Sequence, residues 1–175
     1  MKVLTTTQLK DMLKGGALNL EINKAYVDSL NVFPVPDGDT GTNMNLTMQS
    51  SIKMMDDCSE DNIGDISQAF AKGALMGARG NSGVILSQIF KGFSAVLKEN
   101  KELTTKVFAR ALKNGSHIAY DVVTSPKDGT ILTVIRLVSD YALKIANKKQ
   151  SFLNFFDRPV PKGRCRSRSC LREHR

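Results

Sequence analysis

Three observations predict an all-α fold for this chain. Apolar residues recur every three to four positions through most of the first 150 residues, and no stretch alternates cleanly with period two. Glycine- and proline-rich breaks fall where short loops between helices would lie. Antiparallel helices joined by short connections follow from this pattern. At 175 residues, 41% apolar and 24% charged, the chain is expected to form one domain with a substantial core.

Residues 6 to 30 carry Leu9, Met12, Leu13, Leu18, Leu20, Ile22, Ala25, Tyr26 and Leu30 at helical spacing, with a break predicted at Gly15-Gly16. Pro34 and Pro36 then forbid a helix, and Gly38 and Gly41 permit unusual dihedrals. A second helix is predicted to begin near Thr42 or Asn43 and to carry Met44, Leu46, Met48, Ile52 and Met55. The third spans about Asn62 to Met76. A fourth, starting at Asn81 or Ser82, uses Val84, Ile85, Ile89, Phe93 and Val96. The fifth covers about Thr104 to Val123, and after S-P-K-D-G a sixth runs from about Thr130 to Lys148. V-V-T at 122–124 and I-L-T-V-I at 131–135 are β-prone in composition, but their apolar spacing stays helical. There is no internal repeat.

After Gln150 the composition changes. Residues 151–175 hold seven of the 25 basic residues and two of the 17 acids, which leaves +3 of the net +8 for the first 150. The expectation is a packed domain over 1–150 and a basic Arg/Ser/Pro-rich tail over 151–175 that does not pack. The +8 charge therefore says little about nucleic acid, and a nucleic-acid partner is not expected. No apolar run approaches the roughly 20 residues of a membrane span, and no secretory signal is visible, so a cytoplasmic location is the default. The three cysteines make no disulfide framework, and C-R-S-R-S-C at 165–170 lacks a second ligand pair for zinc. His117, within a predicted helix, is read as structural or exposed.

The chemistry is concentrated in three loops. In N-V-F-P-V-P-D-G-D-T-G-T-N-M-N, residues 31–45, Asp37 and Asp39 flank a glycine that lets both carboxylates aim at one point. Two like charges so close stay ionised only beside a cation or solvent, and oxygen ligands suit Mg²⁺ or Ca²⁺. An EF-hand fails, because Thr42 and Met48 fall where its glycine and glutamate belong. Taken alone, D-G-D also reads as a solvated turn capping the next helix. G-A-R-G-N-S-G, residues 77–83, leads straight into a helix; Gly80, Asn81 and Ser82 there suit an anion or an ordinary cap. P-K-D-G-T-I, 126–131, is a third glycine turn, with Thr130 as cap. There is no Walker A sequence. A carboxylate pair and two helix N-termini together are parts that phosphoryl transfer requires.

These three segments together resemble the DAK-type (DhaL-like) kinase domain, over roughly residues 5–149. The closest branch is the N-terminal ATP-binding domain of the bacterial fatty acid kinase A subunit; the dihydroxyacetone kinase L subunit is more distant. The resemblance implies an antiparallel helical barrel that binds ATP/ADP at one open end with two Mg²⁺ ions. Asp37 and Asp39 would be metal ligands, with Asn31 near the place of a third aspartate in the dihydroxyacetone branch. Thr40, Gly41, Thr42, Asn43, Gly80, Asn81, Ser82 and Thr130 would surround the nucleotide. Thr40 stands where the dihydroxyacetone branch has a histidine, which argues against that substrate.

The same resemblance implies a fatty acid carboxylate as acceptor, presented by a DegV-like fatty-acid-binding protein and converted to an acyl phosphate. No catalytic general base is expected, because a carboxylate is already ionised at neutral pH. Alternatives are a polyol kinase subunit, a truncated nucleotide-binding relative without activity and, remotely, a nucleic-acid binder using the tail. Family members continue past residue 150 with further helices. The tail here departs from them, which suggests a shifted reading frame or added segment on a truncated domain. Such a domain would expose apolar surface, and weak stability or self-association is expected, a homodimer among the assemblies.

Overall fold

In the computed structural model, which describes residues 3–31, 36–127, 129–146 and 151–157, each stretch of helical periodicity becomes a helix. They are α1 (Thr6–Ser29), α2 (Thr40–Asp56), α3 (Ile63–Met76), α4 (Gly80–Lys98), α5 (Thr105–Val122) and α6 (Ile131–Ala146). A short seventh, α7 (Phe152–Phe156), follows. Four of these open on a side-chain cap: Thr5 for α1, Asn62 for α3, Thr104 for α5 and Ser151 for α7. Thr5 and Gln8 complete a reciprocal capping box.

Two features depart from the sequence reading. α1 runs unbroken through Gly15 and Gly16, both exposed, with helical rather than left-handed backbone. A helical glycine costs only about 1 kcal/mol against alanine. Leu9, Met12 and Leu13 before the pair, and Ala17 and Leu20 after it, dock on the core and hold the helix through. Two strands also form, β1 (Val3–Leu4) and β2 (Leu103–Thr104), paired antiparallel with Leu4 opposite Leu103. Two residues are too few to show alternation.

Each of α1 to α5 packs on the next helix in sequence, and α2 also lies against α4. With such short connections, consecutive helices run antiparallel. One apolar cluster gathers Leu9, Leu97, Leu103, Phe108 and Ile145; another gathers Met48, Met55, Ile66, Phe70 and Leu86; a third joins Ile89 to Leu132 and Ile135. α7 enters the first of these. Phe152 is 1% exposed and Phe155 is buried, both edge-on to Phe108. The packed structure thus passes the boundary placed at residue 150; residues 158–175, most of the expected tail, lie outside the described residues.

Helices approach most closely at glycines. A Cβ on Gly92 of α4 would stand 2.7 Å from the Asn114 carbonyl oxygen, and one on Gly73 of α3 would stand 2.6 Å from that of Ser50. Both obstacles are backbone and cannot swing away. Gly92→Val is accordingly expected to lose about 1–3 kcal/mol of stability by overpacking. Gly16→Ala, with nothing within 4 Å of the new Cβ, should gain about 0.5–1 kcal/mol. Urea titrations of the two variants check both signs.

Apolar surface does remain exposed, notably Leu18, Ile22, Tyr26 and Leu30, four residues apart along α1. Among the described residues no helix is long and apolar enough to cross a membrane.

Candidate functional site

The first two chemical loops meet where α2 and α4 begin. Thr40 opens α2, two residues earlier than predicted, after Asp39, whose side chain makes no cap hydrogen bond. Gly38 has φ +64°, the left-handed conformation that glycine adopts without strain. Asp37 is exposed and Asp39 partly buried. Asn31 donates from Nδ2 to Asp37 Oδ1 at 2.5 Å, so two of the three proposed cation ligands touch. Residues 32–35, including Pro34, lie outside the described residues.

The α4 end is built on Asn43 and Thr47 of α2. Thr47 donates its hydroxyl to the Asn43 carbonyl at 2.8 Å and accepts the Arg79 backbone N–H at 3.2 Å. Gly80 has φ +57°, and a Cβ there would come within 2.4 Å of Asn43 Nδ2. A Cβ on Gly83 would meet Thr47 Oγ1 at 2.5 Å. Ser82 donates to the Thr40 carbonyl at 3.5 Å. Glycine at 80 and 83 is what lets the two helix starts stand together. Thr40, Gly41, Thr42, Asn43, Gly80, Asn81 and Ser82 are thereby gathered at one end of the fold.

These two starts differ from the other capped helices. Neither α2 nor α4 has a side-chain cap at its own N-cap residue. For α4 the N-cap residue is Arg79, which adds positive charge to the positive helix end. Amide donors at such an end suit an anion.

At α2 the donors are taken by a residue the sequence reading passed over. Asp28 in the last turn of α1 accepts the Thr42 N–H at 3.0 Å and the Thr42 hydroxyl at 2.8 Å. Burial pushes the Asp28 carboxyl up, but the bonds from Thr42, the Gly41 amide and nearby Lys24 outweigh it and hold the group below its usual range. One signal in the sequence pointed to it: an acid at a helix C-terminus opposes the dipole and needs another partner. Thr47 carried no such signal.

Thr130 is less tightly tied to this end. It donates to the Lys127 carbonyl at 2.9 Å in its own turn, where Gly129 has φ +86°. Ile131, the next residue, joins the apolar clusters that hold Leu86 and Ile89 of α4. His117 is exposed on α5. A cleft of about 330 Å³ between α1 and α2, lined by Lys14, Glu21, Gln49 and Lys53 among others, includes none of the predicted site residues.

Among the described residues, no group of three or more His, Cys, Asp or Glu side chains is placed to hold a metal ion. Asp37 and Asp39 thus have no third such side chain grouped with them among the described residues. The cysteine pair of the tail, Cys165 and Cys170, falls outside the described residues.

Comparison with known proteins gives a family and relatives. The family model described as DAK2 domain matches residues 34–164. Protein YloV of Bacillus subtilis (strain 168) is 48% identical over 149 residues, 85% of this chain and 27% of the relative. Uncharacterized proteins of Staphylococcus aureus strains USA300 and NCTC 8325 are 47% identical over 147 residues, 84% of this chain and 27% of theirs. The chain thus spans about a quarter of the length of the curated relatives it matches.

Proposed function

The chain belongs to the DAK2 domain family, a kinase-related, nucleotide-binding group of all-α domains, and on that premise we propose that the joined starts of α2 and α4 bind Mg·ATP for transfer to a fatty acid carboxylate. The observation that carries this is the pairing itself. Two helices without caps of their own, one flanked by Arg79, begin side by side next to Asp37 and Asp39. Four other helices, α1, α3, α5 and α7, start on the side-chain caps Thr5, Asn62, Thr104 and Ser151.

In this reading Asp37, Asp39 and Asn31 hold up to two Mg²⁺ ions, and bound Mg²⁺ would neutralise charge on the phosphate oxygens. Gly80, Asn81 and Ser82 of α4 present amides and side chains to the phosphates. Thr40, Gly41, Thr42 and Asn43 shape the facing wall, and Thr130 closes the third side. An acceptor carboxylate oxygen forms the new bond to the γ-phosphorus as the bond to the departing ADP breaks. No residue need remove a proton, because the acceptor carboxylate is already ionised. The chain's contribution is position and charge.

The acyl chain needs an apolar tunnel, and a DegV-like fatty-acid-binding protein supplies it in this proposal, with the reaction set in the cytoplasm. A polyol acceptor is the second reading. Thr40 disfavours it, since the dihydroxyacetone branch places a histidine there.

Calorimetry of the chain with ATP, with and without Mg²⁺, tests the site. We expect binding that EDTA abolishes; metal-independent or absent binding would sink the assignment. Trapping the product with hydroxylamine, using a fatty-acid-loaded DegV-like protein, tests the acceptor. Phosphate transfer to dihydroxyacetone instead would favour the second reading.

A further inference from the structure

We propose that Asp28 is a positioning residue of this site, the point of α1 on which the start of α2 is held through Thr42. The inference rests on the nucleotide-binding reading and adds a residue that lies outside all three glycine loops.

Both shoulders of the loop rest on Asp28. On one side its carboxylate takes the Thr42 N–H and hydroxyl, at 3.0 and 2.8 Å. On the other its backbone carbonyl accepts the Asn31 amide at 3.1 Å, and Asn31 in turn holds Asp37. The tip also comes close: a Cβ on Gly38 would lie 4.0 Å from the Asp28 carbonyl oxygen. Thus Asn31, Gly38 and Thr42, spread over 12 residues of sequence, are all referred to one residue of α1.

The placement has a physical cost that requires a reason. Asp28 sits in the last turn of α1, where the helix dipole disfavours an acid and only Lys24, one turn back, offers it a positive charge. That cost is offset by α2, whose start has no cap of its own. Asp28 therefore caps α2 from a neighbouring helix. One consequence follows. Thr42 acts through Asp28, as part of the frame, and the phosphates fall to the amides of α4. Asn31, which holds Asp37, is tied to the Asp28 main-chain carbonyl, a bond that the side-chain variants leave in place.

The test uses the full chain with Asp28→Ala, the milder Asp28→Asn and Thr42→Val. Mg·ATP affinity is read by calorimetry, thermal midpoint by calorimetric scan, and amide exchange at Gly41 and Thr42 by NMR. Hydrogen bonds to a charged group imply a loss of about tenfold or more in Mg·ATP affinity for Asp28→Ala. Asp28→Asn, which keeps one acceptor oxygen, should retain part of the affinity. Exchange at Gly41 and Thr42 should quicken in both. In a Thr42→Val background, Asp28→Ala should cost less than it does alone, because the carboxylate acts through Thr42.

A lower melting temperature with unchanged affinity would make Asp28 merely structural and overturn the proposal. So would unchanged exchange at Thr42. Failure of the unaltered chain to bind Mg·ATP is a different result. It would remove the proposed function, and with it any role for Asp28 in that function, while the exchange data still decide whether Asp28 orders the loop.

Discussion

Replacing Asp37 and Asp39 together by alanine is expected to lower Mg·ATP affinity at least about a hundredfold, the loss of two charged interactions. The fold should survive the change. Asp37 is exposed, and the Asp39 side chain makes no cap hydrogen bond to α2, so neither carboxylate supports the helix it precedes. The melting temperature should therefore stay within a few degrees of the unaltered protein. Without metal, neither protein should bind ATP measurably. Equal Mg·ATP affinity in both proteins would end the assignment of this loop as the cation site. The single substitutions add detail: Asn31→Ala should reproduce part of the Asp37→Ala loss if the 2.5 Å bond directs that carboxylate.

The second large effect concerns α7. Phe152→Ala should cost about 3–5 kcal/mol, the usual range for deleting a buried aromatic ring. Phe152 is 1% exposed and stands edge-on to Phe108, which also meets Phe93, Phe155 and Phe156. Phe156 is 52% exposed, and Phe156→Ala should cost distinctly less. Urea midpoints at constant slope would show the contrast. A midpoint unmoved by Phe152→Ala would return the edge of the packed domain to residue 150.

The sequence carried most of the helical architecture because periodicity is a local property. Leu9 to Leu30, Val84 to Val96 and Ile131 to Ile145 each repeat their apolar face over several turns, and those segments became α1, α4 and α6. What the periodicity could not reveal is set by contacts between distant residues. Gly15 and Gly16 read as a break because a glycine pair disfavours helix locally; packing on either side of them decides otherwise. The β1–β2 pairing joins residues about a hundred positions apart in two-residue strands. α7 was missed because its three phenylalanines end so soon that they give one turn of signal.

The candidate site divides in the same way. Glycines and small polar residues before a helix are visible in the sequence, so Gly80, Asn81, Ser82 and Thr40 to Asn43 were legible, and the fold brings them together. Asp28 and Thr47 were not. Their roles depend on which helices lie side by side, a fact that no short window contains.

The pairing of α2 with α4 has one more consequence. In an up-and-down arrangement, alternate helices point the same way, so these two set like-signed poles beside each other and Arg79 adds to the excess. Asp28 balances the α2 pole, while the α4 pole has no acid in its first turn. Arg79 and the α4 pole thus put positive charge at the same end of the fold as the carboxylates of Asp37 and Asp39. If the proposed site holds Mg·ATP, phosphates would meet the α4 pole and cations the carboxylates, so occupancy and folding stability would rise together.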